Sequence, residues 1–392
     1  MFFFRDLSVS AVVAGFVSVL VGLTSSVAIV FQAAQAFGAS PAEISSWMWA
    51  LGLGMGLCSL VPSLILRKPV MVAWSTPGAA VLATAGAMGG FTMGEAVGAF
   101  MVSAALVFVV GATGWFERAM DRIPQEIATA LLAGVLARFG MRAFNAAESA
   151  PVLIVLMLFA YLVARRWLPR YAVMCTLAVG VLCAAAQGRM NWSAIHWGLA
   201  TPVFTMPSFS ISALMSLALP LFVVTMASQN LPGVAVIRAS GYQMPVSRLI
   251  SMTGIATLVL APFGGYALNF SAITAAICMG PEAHPDAAKR YTAAASCGIF
   301  YILIGIFGAV VTGLLIAFPK ELVMGIAGLA LLGAIGGGLA AAVREEPHRE
   351  AALITFLVTL SGVTLAGIGS AFWGVVAGSL ALVIQSRVPR RQ

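Results

Sequence analysis

The chain has 392 residues, 61% of them hydrophobic and 9% charged, with a mean hydropathy of +1.02, too few charges to furnish the surface of an ordinary soluble protein. Such a sequence belongs in a bilayer, and at ~20 residues per crossing its length sets a ceiling of roughly 14 to 15 spans, with no room for a large soluble domain. The net charge of +8 does not point to nucleic acid, because the basic residues stand singly or in twos and threes between apolar runs rather than on a face with interleaved aromatics.

From Phe2 the chain runs into an apolar stretch that extends past Val30, too long for a signal-peptide core and expected to be the first span. With charges and Gly/Pro as punctuation, apolar stretches lie near 8–32, 46–66, 70–88, 95–116, 123–141, 150–164, 171–187, 211–236, 247–262, 265–281, 291–317, 321–342, 351–367 and 370–386, which predicts an all-α polytopic membrane protein with fourteen transmembrane segments. If both termini are cytoplasmic, seventeen Lys and Arg fall inside and four outside (Arg138, Arg142, Arg189 and Lys320), the bias that the positive-inside rule expects. The five cysteines all lie in apolar stretches without metal-ligand spacing, and are expected to be buried small apolar residues.

The third and tenth stretches differ from the rest. Pro69 to Gly78 and Gly264 to Thr274 each begin β-like and then reach Ser, Thr or Asn residues of the kind that cap helices, with Pro77 suited to a first helical position. Each is predicted to be a short strand leading into a half-helix, and irregular backbone at membrane depth is tolerated where it lines a cavity. Trp74 and Asn269 stand 195 residues apart, and so do Pro124 and Pro319 of the echo Ile-Pro-Gln-Glu-Ile and Phe-Pro-Lys-Glu-Leu. One offset in two places implies duplication, and seven spans per copy is an odd number, so the expectation is a 7+7 inverted-topology repeat.

Two inverted half-helices would aim their N-termini, with free N–H groups and positive dipole ends, at one midplane point and attract an anion. The side chains expected there are Trp74, Ser75 and Thr76 from one copy and Asn269, Phe270, Ser271 and Thr274 from the other. Aromatic faces beside hydroxyls and amides suit a flat apolar body with a carboxylate head, although the hydroxyls could equally cap their helices and the aromatics pack. The eighth span adds Gln229 and Asn230 beside a Pro-Gly break, and the first span adds Ser25 and Ser26. All thirteen carboxylates fall at span ends or in loops; Glu126 and Glu321, a turn inside their spans, are the nearest proton-coupling candidates, together with His284, which is expected to be a solvated loop residue. No nucleophile elbow, Walker loop or zinc motif occurs, so neither an enzyme, nor a metal site, nor a bound cofactor is expected.

The opening Phe4-Arg-Asp-Leu-Ser-Val-Ser10, Lys68-Pro69 with Ala73-Trp-Ser-Thr-Pro-Gly78, Ser228-Gln-Asn-Leu-Pro-Gly233 and Gly280-Pro-Glu-Ala-His-Pro-Asp286 together resemble the benzoate–proton symporter family, a branch sharing the fold of the uracil–proton symporters. The resemblance covers essentially the whole chain. It implies a core domain (1–117 and 211–317, spans 1–4 and 8–11) that holds the substrate, a gate domain (118–187 and 318–392, spans 5–7 and 12–14) that often forms dimers, and an extracytoplasmic connection at 188–210. The uracil-transporting relatives place glutamates where this chain has Gln229-Asn230 and Asn269 to Ser271, a loss that makes sense if the cargo is itself an anion. The expected function is import of benzoate or a similar small aromatic carboxylate with a proton across the bacterial inner membrane by alternating access. A nucleobase or other organic-anion transporter of the same fold, or a small-anion channel, is the alternative.

Overall fold

A computed structural model of the chain describes residues 2–24, 26–87, 90–121, 123–191, 198–307, 318–365 and 369–387. The elements are α1 (Phe2–Asp6), α2 (Val9–Thr24), α3 (Val27–Ala36), α4 (Pro41–Leu66), β1 (Val72–Trp74), α5 (Thr76–Ala87), α6 (Met93–Thr113), α7 (Trp115–Met120), α8 (Gln125–Asn145), α9 (Pro151–Trp167) and α10 (Ala172–Ala186). They continue as α11 (Ile211–Ala239), α12 (Val246–Leu260), β2 (Leu268–Phe270), α13 (Ile273–Met279), α14 (Tyr291–Ile306), α15 (Lys320–Ala342), α16 (Arg349–Ser361) and α17 (Ser370–Arg387). Among the described residues six helices are long and apolar enough to cross a membrane: α4, α6, α8 with its extension to Glu148, α11, α12 with its extension to Phe263, and α15.

Every apolar stretch marked in the sequence carries helix, but two differ in form from the expectation of a plain span. The first is divided into α2 and α3, with Ser26 at the head of the second. In the eighth, α11 carries π turns at Leu214–Ala218 and Met226–Asn230. The cause is legible in its prolines. Pro220 and Pro232 lack the N–H that would bond the carbonyls of Ser216 and Ser228, and the extra residue of a π turn absorbs each fault.

The third and tenth stretches are strand followed by helix. β1 and β2 pair antiparallel in the register Val72↔Phe270, Ala73↔Asn269, Trp74↔Leu268. The ladder is extended at both ends by matched bonds, Ser75 N–H to Ala267 O and Ser271 N–H to Met71 O, each 3.1 Å. A two-stranded ribbon leaves outer edges that must not stay bare in an apolar interior. Hydroxyls of adjacent helices cover them: Ser63 Oγ accepts from Val70 N at 3.0 Å, Ser59 Oγ from Val72 N at 3.0 Å, and Thr257 Oγ1 from Leu268 N at 3.1 Å.

These bonds correct the repeat alignment drawn from sequence. Ser75 Oγ accepts from Gly78 N at 3.0 Å and Ser271 Oγ from Thr274 N at 3.3 Å, so the two serines are equivalent, and so are Trp74 and Phe270. The offset is 196 here, against 195 for Pro124 and Pro319, which precede α8 and α15. Equating Trp74 with Asn269 was one residue out of step, and on a strand one residue is the difference between opposite faces.

Helices flanking the ribbon cross at glycines. A Cβ at Gly52 of α4 would stand 2.7 Å from Gly305 Cα of α14, and one at Gly254 of α12 would stand 2.7 Å from Phe108 N of α6. Backbones this close gain dispersion contacts that no side chain could fit between, the usual basis of helix association in lipid. Trp47, Phe100 and Tyr266 form an aromatic cluster under the ribbon, with ring centroids 5.4 to 5.9 Å apart.

Candidate functional site

β1 and β2 deliver α5 and α13 to opposite walls of one cavity of about 390 Å³. Thr76 and Pro77 at the start of α5 border it, and so do Ser271, Ile273 and Thr274 at the start of α13. α5 has twelve residues and α13 seven, so the helix dipole at α5 is the more developed. The remaining wall comes from α2 and Ser26 before α3, from Met55 of α4, from the polar turn of α11, from Tyr301 of α14, and from α8, α16 and α17. A volume of this order is typical of a site for a small organic ligand.

Six of the expected site residues meet at this cavity: Ser26, Trp74, Thr76, Gln229, Ser271 and Thr274. Trp74 is held by its indole N–H, which donates to Ser26 Oγ at 2.9 Å, while Ser26 Oγ donates to Gly22 O at 3.0 Å. That chain locks the divided first span to the β1 ribbon. Thr274 Oγ1 donates to Ser271 Oγ at 2.7 Å, which leaves the Ser271 hydroxyl hydrogen as the free donor of the pair.

Four others stand behind the wall. Ser75 is fully buried and caps α5. Asn230 is fully buried and its Oδ1 accepts from Phe270 N at 2.9 Å. Asn269 donates from Nδ2 at 2.8 Å to the carbonyl of Ala267, a residue held at φ 38, and its Oδ1 has no partner among the described residues. Phe270 packs with its Cβ against Gly233, where any side chain would collide at 2.5 Å. These residues position the wall rather than form it. Ser25 lies outside the described residues.

The titratable candidates are elsewhere. Glu126 lies 3.4 Å from His348 Nδ1, and Glu321 Oε1 accepts from Ser149 Oγ at 3.2 Å; neither borders the cavity. His284 is not the solvated loop residue expected from sequence. It is buried, its Nδ1 accepts from Asp286 N at 3.0 Å, and its carbonyl accepts from Arg290 Nε at 2.8 Å. Arg290 also donates to Met279 O at 2.8 Å, satisfying a carbonyl at the end of α13, so this loop anchors the half-helix from its far end.

The cavity also holds residues passed over in the sequence: Tyr301, Ser228, Thr359, and the pair Arg138 and Arg142. The arginines carried a signal. They are four apart and therefore share a face of α8, with Arg138 inside the predicted span 123–141, seven residues short of the nearer end of the helix, and Arg142 just past that span. Among the described residues no Asp or Glu borders the cavity.

Fold and cavity together define a polytopic helical membrane protein with an internal cavity of a size that suits a small ligand. The chain belongs to the family described as benzoate membrane transport protein, whose model matches residues 5–384. The inner membrane protein YdcO of Escherichia coli (strain K12) is 48% identical over 378 residues, 96% of each chain. The benzoate membrane transport protein of Acinetobacter baylyi is 40% identical over 380 residues, 97% of this chain and 96% of its own. Among solved structures, the transmembrane domain of the cyanobacterial bicarbonate transporter BicA aligns at a TM-score of 0.46 and 13% identity over 98% of both chains. The overall structure of SLC26A9 aligns at 0.49 and 10% identity over 94% of this chain and 67% of its own.

Proposed function

We propose that this protein is a secondary transporter that imports benzoate or a similar small aromatic carboxylate with a proton. The observation that carries the reading is the composition of the cavity: a buried tryptophan, hydroxyls at two strand-led helix starts, two arginines and no carboxylate. A flat ring gains from Trp74 and the apolar wall, and a carboxylate gains from hydroxyl and N–H donors in a medium of low dielectric. A family relative named for benzoate transport, 40% identical, supports the choice of cargo. A nucleobase is the weaker candidate, since the cavity lacks an acid to accept from its ring N–H groups.

In this reading the fourteen stretches are fourteen spans in two inverted sets of seven, with both termini cytoplasmic in a bacterial inner membrane. The core comprises 1–117 and 211–317, and it moves against a gate of 118–187 and 318–392, with 188–210 joining the repeats outside; the gate also supplies the contact of a homodimer. The substrate rests against Ser26, Trp74, Thr76, Gln229, Ser271 and Thr274, with Ser25 beside them, while Ser75, Asn230, Asn269 and Phe270 hold the wall in place. The candidates for proton coupling are Glu126 and Glu321, both set back from the cavity in the gate, and His284 in the loop that anchors α13. The protein performs no chemistry on its cargo.

The test is uptake of labelled benzoate by proteoliposomes under an imposed proton gradient. Accumulation that collapses with a protonophore is expected. A folded, correctly inserted protein that takes up no benzoate refutes the reading, and current that ignores the proton gradient would favour a channel.

A further inference from the structure

The cations on the cavity wall ask for an explanation that the fold alone does not supply. Arg138 is half-buried in α8, and its guanidinium lies over Gly362, the left-handed residue (φ 71) that ends α16. A Cβ at position 362 would stand 2.5 Å from Arg138 Nη2 and 2.8 Å from Nη1, so the absence of a side chain there is what gives the guanidinium its seat. Among the described residues Arg138 makes no hydrogen bond and no ion pair. Of the other half-buried arginines, Arg238 Nη2 donates to Asp121 Oδ1 at 2.6 Å and Arg290 Nη1 to Met279 O at 2.8 Å, while Arg189 Nη2 donates to Ser149 O at 3.1 Å and its Nη1 has no partner among the described residues.

A guanidinium withdrawn from bulk water without a partner is costly to keep, and the cost falls when an anion arrives. Its fork of donors matches a carboxylate in two parallel hydrogen bonds. Arg142, one turn further along, adds potential of the same sign, and among the described residues no Asp or Glu lines the cavity.

We infer that Arg138 is the carboxylate-selecting residue of this cavity, its guanidinium taking the anionic head of the cargo at the wall formed by α8 and the end of α16. This rests on the reading of the protein as a carrier of aromatic carboxylates. The competing role is structural. A cation beside the C-terminal end of α16 complements that helix's dipole, which would make Arg138 matter for stability and indifferent to the charge of a ligand.

Binding of benzoate and of its neutral counterpart benzamide to the purified full chain separates the two, measured calorimetrically for wild type, R138Q, R138K and R142Q. R138Q is expected to lose at least tenfold in benzoate affinity with benzamide affinity unchanged, so that the preference for the anion collapses. R138K, which keeps the charge and loses the fork, is expected to lose about threefold, and R142Q less than R138Q. Wild-type benzoate affinity in R138Q, or an equal loss for benzoate and benzamide, overturns the assignment while the functional reading stands. If R138Q does not fold, R138K decides, and unchanged benzoate affinity there overturns the role of the fork. A folded wild type that binds no benzoate brings down the functional reading itself, and this assignment with it.

Discussion

Asn230 offers the sharpest test of how the cavity wall is held, because it touches the wall without forming it. Its Oδ1 accepts from Phe270 N at 2.9 Å, in the middle of the β1–β2 ribbon, and its Nδ2 donates towards Met226 Sδ at 3.2 Å. N230L keeps the bulk and removes the acceptor, leaving a buried backbone N–H with no partner, a loss of about 1–3 kcal/mol. N230A also opens a void, and at about 24 cal/mol per Å³ one of roughly 50 Å³ adds about 1 kcal/mol. The expected order of stability is wild type, then N230L lower by about 2 kcal/mol, then N230A lower by about 3 kcal/mol. Equilibrium unfolding in mixed micelles of dodecyl maltoside and SDS, followed by circular dichroism, reads these differences. Since Ser271 follows Phe270 directly, both variants should also bind benzoate several-fold more weakly. N230L with wild-type stability and wild-type benzoate affinity would refute the idea that this amide fixes the ribbon.

W74F removes the indole donor to Ser26 while keeping an aromatic face, and should cost about 1 kcal/mol in the same unfolding titration with little loss of benzoate affinity, whereas W74A should lose both. G52V forces α4 away from α14 at a point where even a methyl group has no room, and is expected to cost about 1–3 kcal/mol or more and to lower the yield of monodisperse protein in size-exclusion chromatography. E126Q and E321Q leave the cavity wall intact, so benzoate binding should persist in both, while proton-driven accumulation in proteoliposomes falls. Arg165 pairs with Glu282, joining α9 to the loop after α13, and a double-mutant cycle of R165A with E282Q should return a coupling of about 1 kcal/mol that weakens in high salt.

Hydropathy made the helical stretches readable because each span must satisfy the bilayer on its own, residue by residue. The strands that lead into α5 and α13 were legible too, since Pro, Ser and Thr in an apolar run have few other uses. Their register was not. Whether Trp74 matches Asn269 or Phe270 depends on hydrogen bonds between segments almost two hundred residues apart, and local sequence carries no record of that. Ser26, Trp74 and Ser271 were readable as polar or aromatic residues beside a break, but the same pattern also promoted Ser75 and Asn230, which the fold turns inward to cap and to brace. Arg138 was missed because the positive-inside count treats every arginine as a marker of sidedness, and so sets aside the one feature, depth within the span, that separates a topological signal from a residue of the cavity.

The β1–β2 ribbon has a consequence for direction. Antiparallel pairing with matched bonds at Ser75 and Ser271 makes the main chain on the two sides of the ribbon nearly interchangeable. Along the ribbon and the helix starts that follow it, the two sides differ by substitutions across that axis: tryptophan at 74 against phenylalanine at 270, threonine at 76 against alanine at 272, glycine at 78 against threonine at 274. Any directional preference that the ribbon imparts therefore lies in its side chains and not in its main chain.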